Sequence, residues 1–491
     1  MERLKVAFTG EGTYPYVTGG VSTWADILIN KMKEVDFILI PILMTPYIKI
    51  KYQLPANVIR MIKIPLWGSE EPSEFVHSDK FSQIYIRKLK TMRQKDAVNN
   101  IVDLIDGIVD FIYNNKNNYQ ELGEIILKFY DFFQVYDYHE AFRSEIVWKA
   151  YIKKMEKIYE QRDIEIPSIY DMIESLRFLF RFFIVLLAPV PEANIYHSSA
   201  AAFCGLPCIV AKLKHKSKFI LTEHGIYTRE QYLYASREGI PYRTKEFLLG
   251  LIGAIVKLNY YFADVISPVC NYNKRWETKW GATEDKIHTI YNGIDVLKFN
   301  KIDVDKNDRP TVTMVARIDP LKDIETFIRT CDLVRKEIPD VLFKLYGPYV
   351  DKEYYKKCQD LHSKLNLGDN FIFAGQTDRP ELAYNEGDVV ALTSISEAFP
   401  FTVIEAMACE KVVVSSDVGG TKEVLEGFGF IVKPKDYEAF AKHIIWSLKN
   451  PEETRQMGIA ARERILLGFT LEDMVENYSN LYFTSADMER V

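Results

Sequence analysis

The chain lacks most of the signals that would settle its chemistry at once. Its six cysteines (Cys204, Cys208, Cys270, Cys331, Cys358 and Cys409) are scattered, with no Cys-x-x-Cys pair. That spacing argues against a zinc site and for reduced thiols in a cytoplasmic setting. There is no basic excess: 62 Lys and Arg against 68 Asp and Glu leave a net charge of −6. Nucleic acid is therefore not an expected partner. Long apolar runs are missing too; the strongest, "FFIVLLA" at Phe182–Ala188, is too short to span a bilayer and follows Arg181. No signal-peptide pattern opens the chain, because "MERLKVAFTG" reads straight into a strand. Serine elbow, Walker A lysine, metal-binding histidine pair and an Asp-x-Asp suited to a metal-bridged diphosphate are all absent. No metal and no cofactor are expected.

What is present is a long chain of ordinary globular composition. Its 491 residues are 48% hydrophobic and 26% charged, which suits two or three domains rather than one core. Leu4–Thr9 reads as a buried strand, Gly10–Gly20 as a loop, and Val21, Trp24, Ile27, Leu28 and Met32 recur at helical spacing. This strand–glycine loop–helix unit opens a doubly wound α/β domain. Further strands are read at "FILIPIL", "VIRMIKI", "NIYHSS", "KFILTEHG", "ADVISPV" and "KIHTIYNGID". Between about 80 and 187 the strand signals nearly vanish and long amphipathic patterns replace them, the mark of a helical insertion. The polar stretch Asn300–Arg309 reads as a linker, and a second β/α series follows through "TVTMVAR", "LFKLYG", "NFIFAG", "VVALTS" and "KVVVSS". The expected division is 1–305, 306–470, and a C-terminal helix from 471 to 491 that packs back on the first domain. The expected class is α/β, two doubly wound Rossmann-like domains facing across a cleft, with the cleft as ligand site.

The most informative segment is "SEAFPFTVIEA", Ser396–Ala406. Glu397 falls in a strand-to-helix loop, Pro400 suits the first helical turn, and Glu405 lies more than a turn into the helix. The amides of Phe401, Thr402 and Val403 would form a helix N-terminus that favours phosphate. The plainer alternative is a helix cap at Glu397 and a surface residue at Glu405. In "VARIDPLKDIETFIR", Arg317 ends a strand and Lys322 lies at the start of the next helix, two cations at the same sheet edge as Glu397. In isolation two such residues are usually a solvated loop pair. Gly19 and Gly20 precede a helix and would let backbone approach an anion, or mark a simple turn. His224 ends a strand in "LTEHGIYTRE" beside Glu223, Arg229 and Glu230; a lone histidine is more often structural. Ser267, Asn292 and Asp295 are loop residues of modest specificity.

Taken together these residues resemble a known family. "SEAFPFTVIEA" matches the E-x7-E pattern of retaining glycosyltransferases with the GT-B fold, and "ARIDPLK", "NGID" and "SSDVGGTKEVLEG" resemble glycosyltransferase family 4. "TGEGTYPYVTGGVSTW", "TEHGIYTRE" and the helical insertion look like the PelF-like branch, cytoplasmic enzymes of Pel-type exopolysaccharide synthesis. The resemblance covers nearly the whole chain. It implies a retaining hexosyltransferase using a UDP-sugar, of the UDP-glucose or UDP-N-acetylgalactosamine class, and a growing polysaccharide as acceptor. Glu397 would contact the donor sugar, Glu405 the ribose, and Arg317 and Lys322 the pyrophosphate. Gly19 and Gly20 would bring amides to that diphosphate, His224 would sit beside the sugar, and Gly375 and Gln376 would meet the base. Peripheral association with a membrane synthesis complex is part of the same implication. The chain departs from the branch in "AFPF" between the glutamates and in "MACEKVVV", which lacks a Gly-x-Pro.

Two other readings stay open at this point. One is a family 4 transferase with a lipid-linked or small-molecule acceptor. The other is a non-catalytic nucleotide-sugar sensor, disfavoured because both glutamates and both cations are retained together.

Overall fold

In a computed structural model, the protein is described over residues 3–67, 81–114, 117–237, 239–304 and 308–488. The chain forms two compact units. The first gathers Met1–Pro268, Lys274–His288 and Tyr478–Val491; the second gathers Val269–Asn273 and Thr289–Asn477. The polar stretch Asn300–Arg309 therefore lies within the second unit.

The first unit is built on a seven-stranded sheet. Its strands are β1 (Leu4–Glu11), β2 (Val35–Leu43), β3 (Val58–Met61), β4 (Ile64–Pro65), β5 (Ile195–Ser198), β6 (Lys218–Glu223) and β7 (Val265–Pro268). The order is β3-β2-β1-β5-β6-β7, with β4 also on β2, and the pairings are parallel. A parallel sheet buries both faces, which is why these strands read as continuous apolar runs rather than alternating ones. "KIHTIYNGID" forms no continuous strand: Ile287 bridges Ile266 and Ile294 bridges Thr470, and the residues between are irregular. Its apolar residues Ile287, Ile290 and Ile294 are buried while the backbone stays extended, which mimics a strand pattern.

Helices fill the long interval after β4. They run Phe81–Arg93, Lys95–Tyr113, Tyr119–Val135, Tyr138–Phe142, Glu145–Gln161 and Ile169–Phe182. Local chemistry sets several of their starts. Asn118 and Ser144 accept from the amides of Glu121 and Val147, and Ser168 with Asp171 forms a reciprocal capping box. Their apolar stripes, with Ile105, Ile126, Phe129 and Leu179, join sheet residues such as Ile40 and Tyr196 in one core. The last helix, Leu471–Ser485, places Tyr482 and Tyr478 in the first unit. Tyr482 Oη lies 2.6 Å from His197 Nδ1, and Tyr478 Oη lies 3.1 Å from Thr222 Oγ1.

The second unit carries a six-stranded parallel sheet. Its strands are β8 (Thr311–Val315), β9 (Leu342–Tyr346), β10 (Phe371–Gly375), β11 (Val389–Leu392), β12 (Val412–Ser416) and β13 (Phe430–Val432). The order β10-β9-β8-β11-β12-β13 switches direction at β8 and β11. Ligands of open α/β sheets bind beyond the strand ends at such a switch.

Candidate active site

In the second unit three loops leave the sheet at the switch. The loop after β8 carries Arg317 and then a short 3-10 turn, Pro320–Lys322, before the helix Ile324–Glu337. Lys322 thus ends a turn and does not start the helix, because Asp323 adopts φ +47° between them. The loop is fastened to the one after β11. Ile395 N donates to Leu321 O at 2.8 Å, and Thr393 Oγ1 donates to the Lys322 and Asp323 carbonyls at 2.9 and 3.0 Å. This brings Lys322 Nζ to 2.5 Å from Glu397 Oε1. Both side chains are largely shielded, 20% and 13% exposed, so this pair is less screened than a surface one. Arg317 is exposed at the end of β8 with no ion-pair partner among the described residues.

The third loop, after β12, holds Glu397 from behind. Gly420 N donates to Ala398 O at 2.6 Å, and Gly419 has φ +56°. A Cβ on Gly419 would stand 2.2 Å from the Glu397 carbonyl oxygen. Only glycine meets both conditions.

The helix Phe401–Ala408 follows Pro400, and no side chain caps its start. Glu397 therefore does not serve as its cap. The Phe401 and Thr402 amides stay open, but Val403 N donates to Pro400 O at 3.2 Å and is not free for a ligand. Proline's fixed φ leaves its carbonyl in reach, which closes a tight turn there. Thr402 Oγ1 donates to Val315 O at 3.1 Å, tying the helix to the end of β8. Glu405 is half-buried rather than a plain surface residue. Tyr384 Oη, on the helix Pro380–Glu386, donates to its Oε2 at 2.7 Å, and burial raises the Glu405 carboxyl above its ordinary range. Gly375 ends β10 at φ +79° with its carbonyl accepting from Gly347 N at 2.8 Å; Gln376 beside it is exposed. Asp295 is a turn former, its Oδ1 accepting from the Leu297 and Lys298 amides at 2.9 and 3.1 Å. Asn292 is buried, with its Oδ1 unpaired among the described residues.

The first unit offers a different kind of edge. Gly19 and Gly20 begin the helix Gly20–Lys31, exposed, without a capping side chain and with open space around Gly19. Trp24 of that helix packs edge-on to His224, ring centroids 4.4 Å apart, and also touches His197. So the glycine helix and His224 meet through Trp24 at one end of the sheet. Burial lowers the His224 pKa to about 3, so its ring is neutral, and Nε2 has no partner among the described residues.

Beside His224 lies a carboxyl cluster that the sequence signals only in part. Glu223 ends β6, buried, and accepts from Tyr260 Oη at 2.6 Å. Glu277, on the helix Asn271–Lys279, brings a second buried carboxyl against it. Burial holds both above the ordinary carboxylate range, and at Glu277 the neighbouring Glu223 adds to the rise. Glu11 ends β1, accepts from Cys204 N at 2.9 Å, and is raised by burial to about 7. Ser267 Oγ donates to Tyr478 Oη at 3.3 Å, a structural use. No local motif announces Glu11, Trp24, Glu277 or Tyr384 as site neighbours, since each partner lies on a separate element.

Comparison with known proteins adds the following. The family model described as Domain of unknown function (DUF3492) matches residues 4–285, and Glycosyl transferases group 1 matches residues 297–464. Trehalose synthase of Thermococcus litoralis is 32% identical over 200 residues, covering 38% of this chain and 47% of that protein. N-acetyl-alpha-D-glucosaminyl L-malate synthase of Bacillus anthracis is 26% identical over 207 residues, covering 40% and 53%. The chain thus spans about half the length of the curated relatives it matches. Among solved structures, sucrose-phosphate synthase of Thermosynechococcus elongatus superposes with a TM-score of 0.60 at 17% identity, covering 98% and 99% of the two chains. Anabaena HepE in complex with UDP superposes at 0.59 and 13% identity, covering 98% and 100%. These likenesses show the two-domain α/β fold of GT-B glycosyltransferases.

Two outcomes are expected from this geometry. Gly419→Ala should shift the Glu397 loop and lower the melting temperature by several degrees, about 1–3 kcal/mol of strain; an unchanged melting curve would refute the clamp. For Glu277, the folded state holds protons that the unfolded chain releases above the ordinary carboxylate range. Stability therefore falls as pH rises from about 5 upward. Glu277→Gln should flatten that fall, read as melting temperature against pH; parallel wild-type and variant profiles would show that the pair is not the source.

Proposed function

We propose, from the premise that the chain belongs to the DUF3492 family and carries a group 1 glycosyltransferase region, that it is a retaining hexosyltransferase using a UDP-sugar. The observation that carries this reading is the Lys322–Glu397 pair at the switch of the second sheet, with exposed Arg317 next to it. An anionic carboxylate and two cations on one strand edge suit a ligand with hydroxyls beside a diphosphate.

Each residue then has a role. Glu405, steadied by Tyr384, accepts from the ribose hydroxyls. Gly375 and Gln376 meet the base through backbone. Arg317, Lys322 and the open amides of Phe401 and Thr402 hold the diphosphate, and Val403 shapes that turn. Glu397 binds hydroxyls of the sugar. Gly19 and Gly20 offer amides to phosphate oxygens, and neutral His224 offers Nε2 to a sugar hydroxyl.

The reaction breaks the bond between the anomeric carbon and the diphosphate oxygen. The electron pair stays on that oxygen, so negative charge grows there, and preorganised cations lower the barrier most at that point. The acceptor hydroxyl attacks the same face, and its proton passes to the departing phosphate. Retention follows without a protein nucleophile, and no metal is required in this scheme because Arg317 and Lys322 supply the positive charge. The acceptor is read as a growing Pel-type polysaccharide, with peripheral attachment to a membrane synthesis complex. Among the described residues no helix is long and apolar enough to cross a membrane, so attachment would run through partner proteins. Relatives named for trehalose and for a malate conjugate support the second reading, a small-molecule acceptor.

Arg317→Ala or Lys322→Ala should lower donor turnover by about a hundredfold or more, the usual scale for removing one preorganised group. Wild-type turnover in both would end the diphosphate assignment. Glu405→Ala should weaken UDP binding by calorimetry about tenfold or more; equal affinity would remove the ribose role.

A further inference from the structure

The helical part of the first unit contains a hollow that none of the candidate active-site residues lines. Its volume is about 670 Å³, within the range of small-molecule sites. Three helices build it: Tyr138–Phe142, Glu145–Gln161 and Ile169–Phe182. On the last of these, Ile173, Arg177 and Arg181 recur every fourth residue, so they stack along one face. Arg143, just past the first helix, adds a third guanidinium. Phe142, Trp148 and Phe180 supply aromatic walls, and no Asp or Glu lines the hollow.

The charge balance of those arginines is unusual. Arg181 is half-buried, stacked on Trp67 with its guanidinium carbon 4.2 Å from the ring centroid. It donates once, to Leu66 O at 3.0 Å, and its buried Nε has no partner among the described residues. No carboxylate forms an ion pair with it there. Among the described residues Arg177 forms an ion pair with Glu174 of its own helix, with half of its own side chain exposed. Arg143 is exposed, again without an ion pair among the described residues. A partly buried guanidinium with no counter-charge among the described residues is costly to keep. Aromatic walls and planar donor forks with donors to spare are the chemistry that recognises a flat ring bearing an oxyanion.

We propose that this hollow is a second ligand site, separate from the donor residues, that takes a small anion carrying a planar ring. A nucleoside monophosphate and an aryl carboxylate share that chemistry. The oxyanion is held by Arg143, Arg177 and the free side of Arg181, and the ring lies against Trp148, Phe142 or Phe180.

The test uses the full chain and the fluorescent aryl sulfonate 8-anilinonaphthalene-1-sulfonate. Wild type should bind it saturably. The double variant Arg143→Gln, Arg177→Gln, both surface-reaching side chains, should bind about tenfold more weakly or less. Its melting temperature and its affinity for UDP should stay at wild-type values, which separates this site from the donor reading. Competition then distinguishes the sources. Displacement by adenosine monophosphate but not by adenosine assigns a nucleotide-type phosphate, and displacement by benzoate alone assigns a carboxylate; either outcome supports the site. Equal dye affinity in wild type and the double variant, or non-saturable binding, overturns it.

Discussion

In a parallel sheet every strand ends at the same edge, and each unit of this protein depends on that constraint. Loops that are far apart in sequence are delivered to one line of strand ends. In the second unit this places the loops after β8, β11 and β12 side by side, though Arg317, Glu397 and Gly419 are widely separated along the chain. The bonds that Ile395 N and Thr393 Oγ1 donate to the Leu321 and Lys322 carbonyls then fix the spacing to hydrogen-bond precision. A lysine and a glutamate carried by such fastened loops have little freedom to avoid each other. Their pairing follows from topology and backbone bonds before electrostatics adds to it.

The two strand edges are charged in opposite styles. In the second unit the charge is real and balanced: Lys322 answers Glu397, and Arg317 is left over. In the first unit it is suppressed. Burial keeps His224 neutral and holds Glu223, Glu277 and Glu11 toward their protonated forms. A surplus cation attracts a diphosphate and stabilises the charge that grows on it. A neutral, polar, ring-lined edge suits uncharged hydroxyls. The division of labour in the proposed transfer is therefore already present in how each core treats its ionisable groups.

How much of this could be read from the sequence depended on whether the signal was local. Buried parallel strands appear as short continuous apolar runs, so β1, β2, β8, β11 and β12 were legible. β13, only Phe430–Val432, is too short to stand out, and "KIHTIYNGID" carries the right burial on irregular backbone. Glu397 and Glu405 were visible because both fall in one helix-start segment. Lys322 was legible at the same sheet edge, but its pairing with Glu397 was not, and Tyr384 was not visible at all, because both contacts come from other elements through tertiary packing. The same holds for Glu277 against Glu223 and Trp24 against His224: helical spacing marks Trp24 as core, and only the fold shows which core.

The helical interval makes the contrast sharper. Its caps and apolar stripes agree with its fold at every level, which is the pattern of a well-specified structure. Among the described residues a local rule is broken at the Arg177–Arg181 face, where a cation half-buried on Trp67 forms no ion pair. A surface lysine would have reached solvent without this cost, and an apolar residue would have filled the hollow. Departures from local rules tend to fall at functional sites. The same logic first drew attention to Glu397 and Glu405, carboxylates among apolar neighbours, and there the departure coincides with the switch point of a sheet. In the helical interval no sheet edge is involved, and the arginines and rings of one hollow are brought together by helix packing alone.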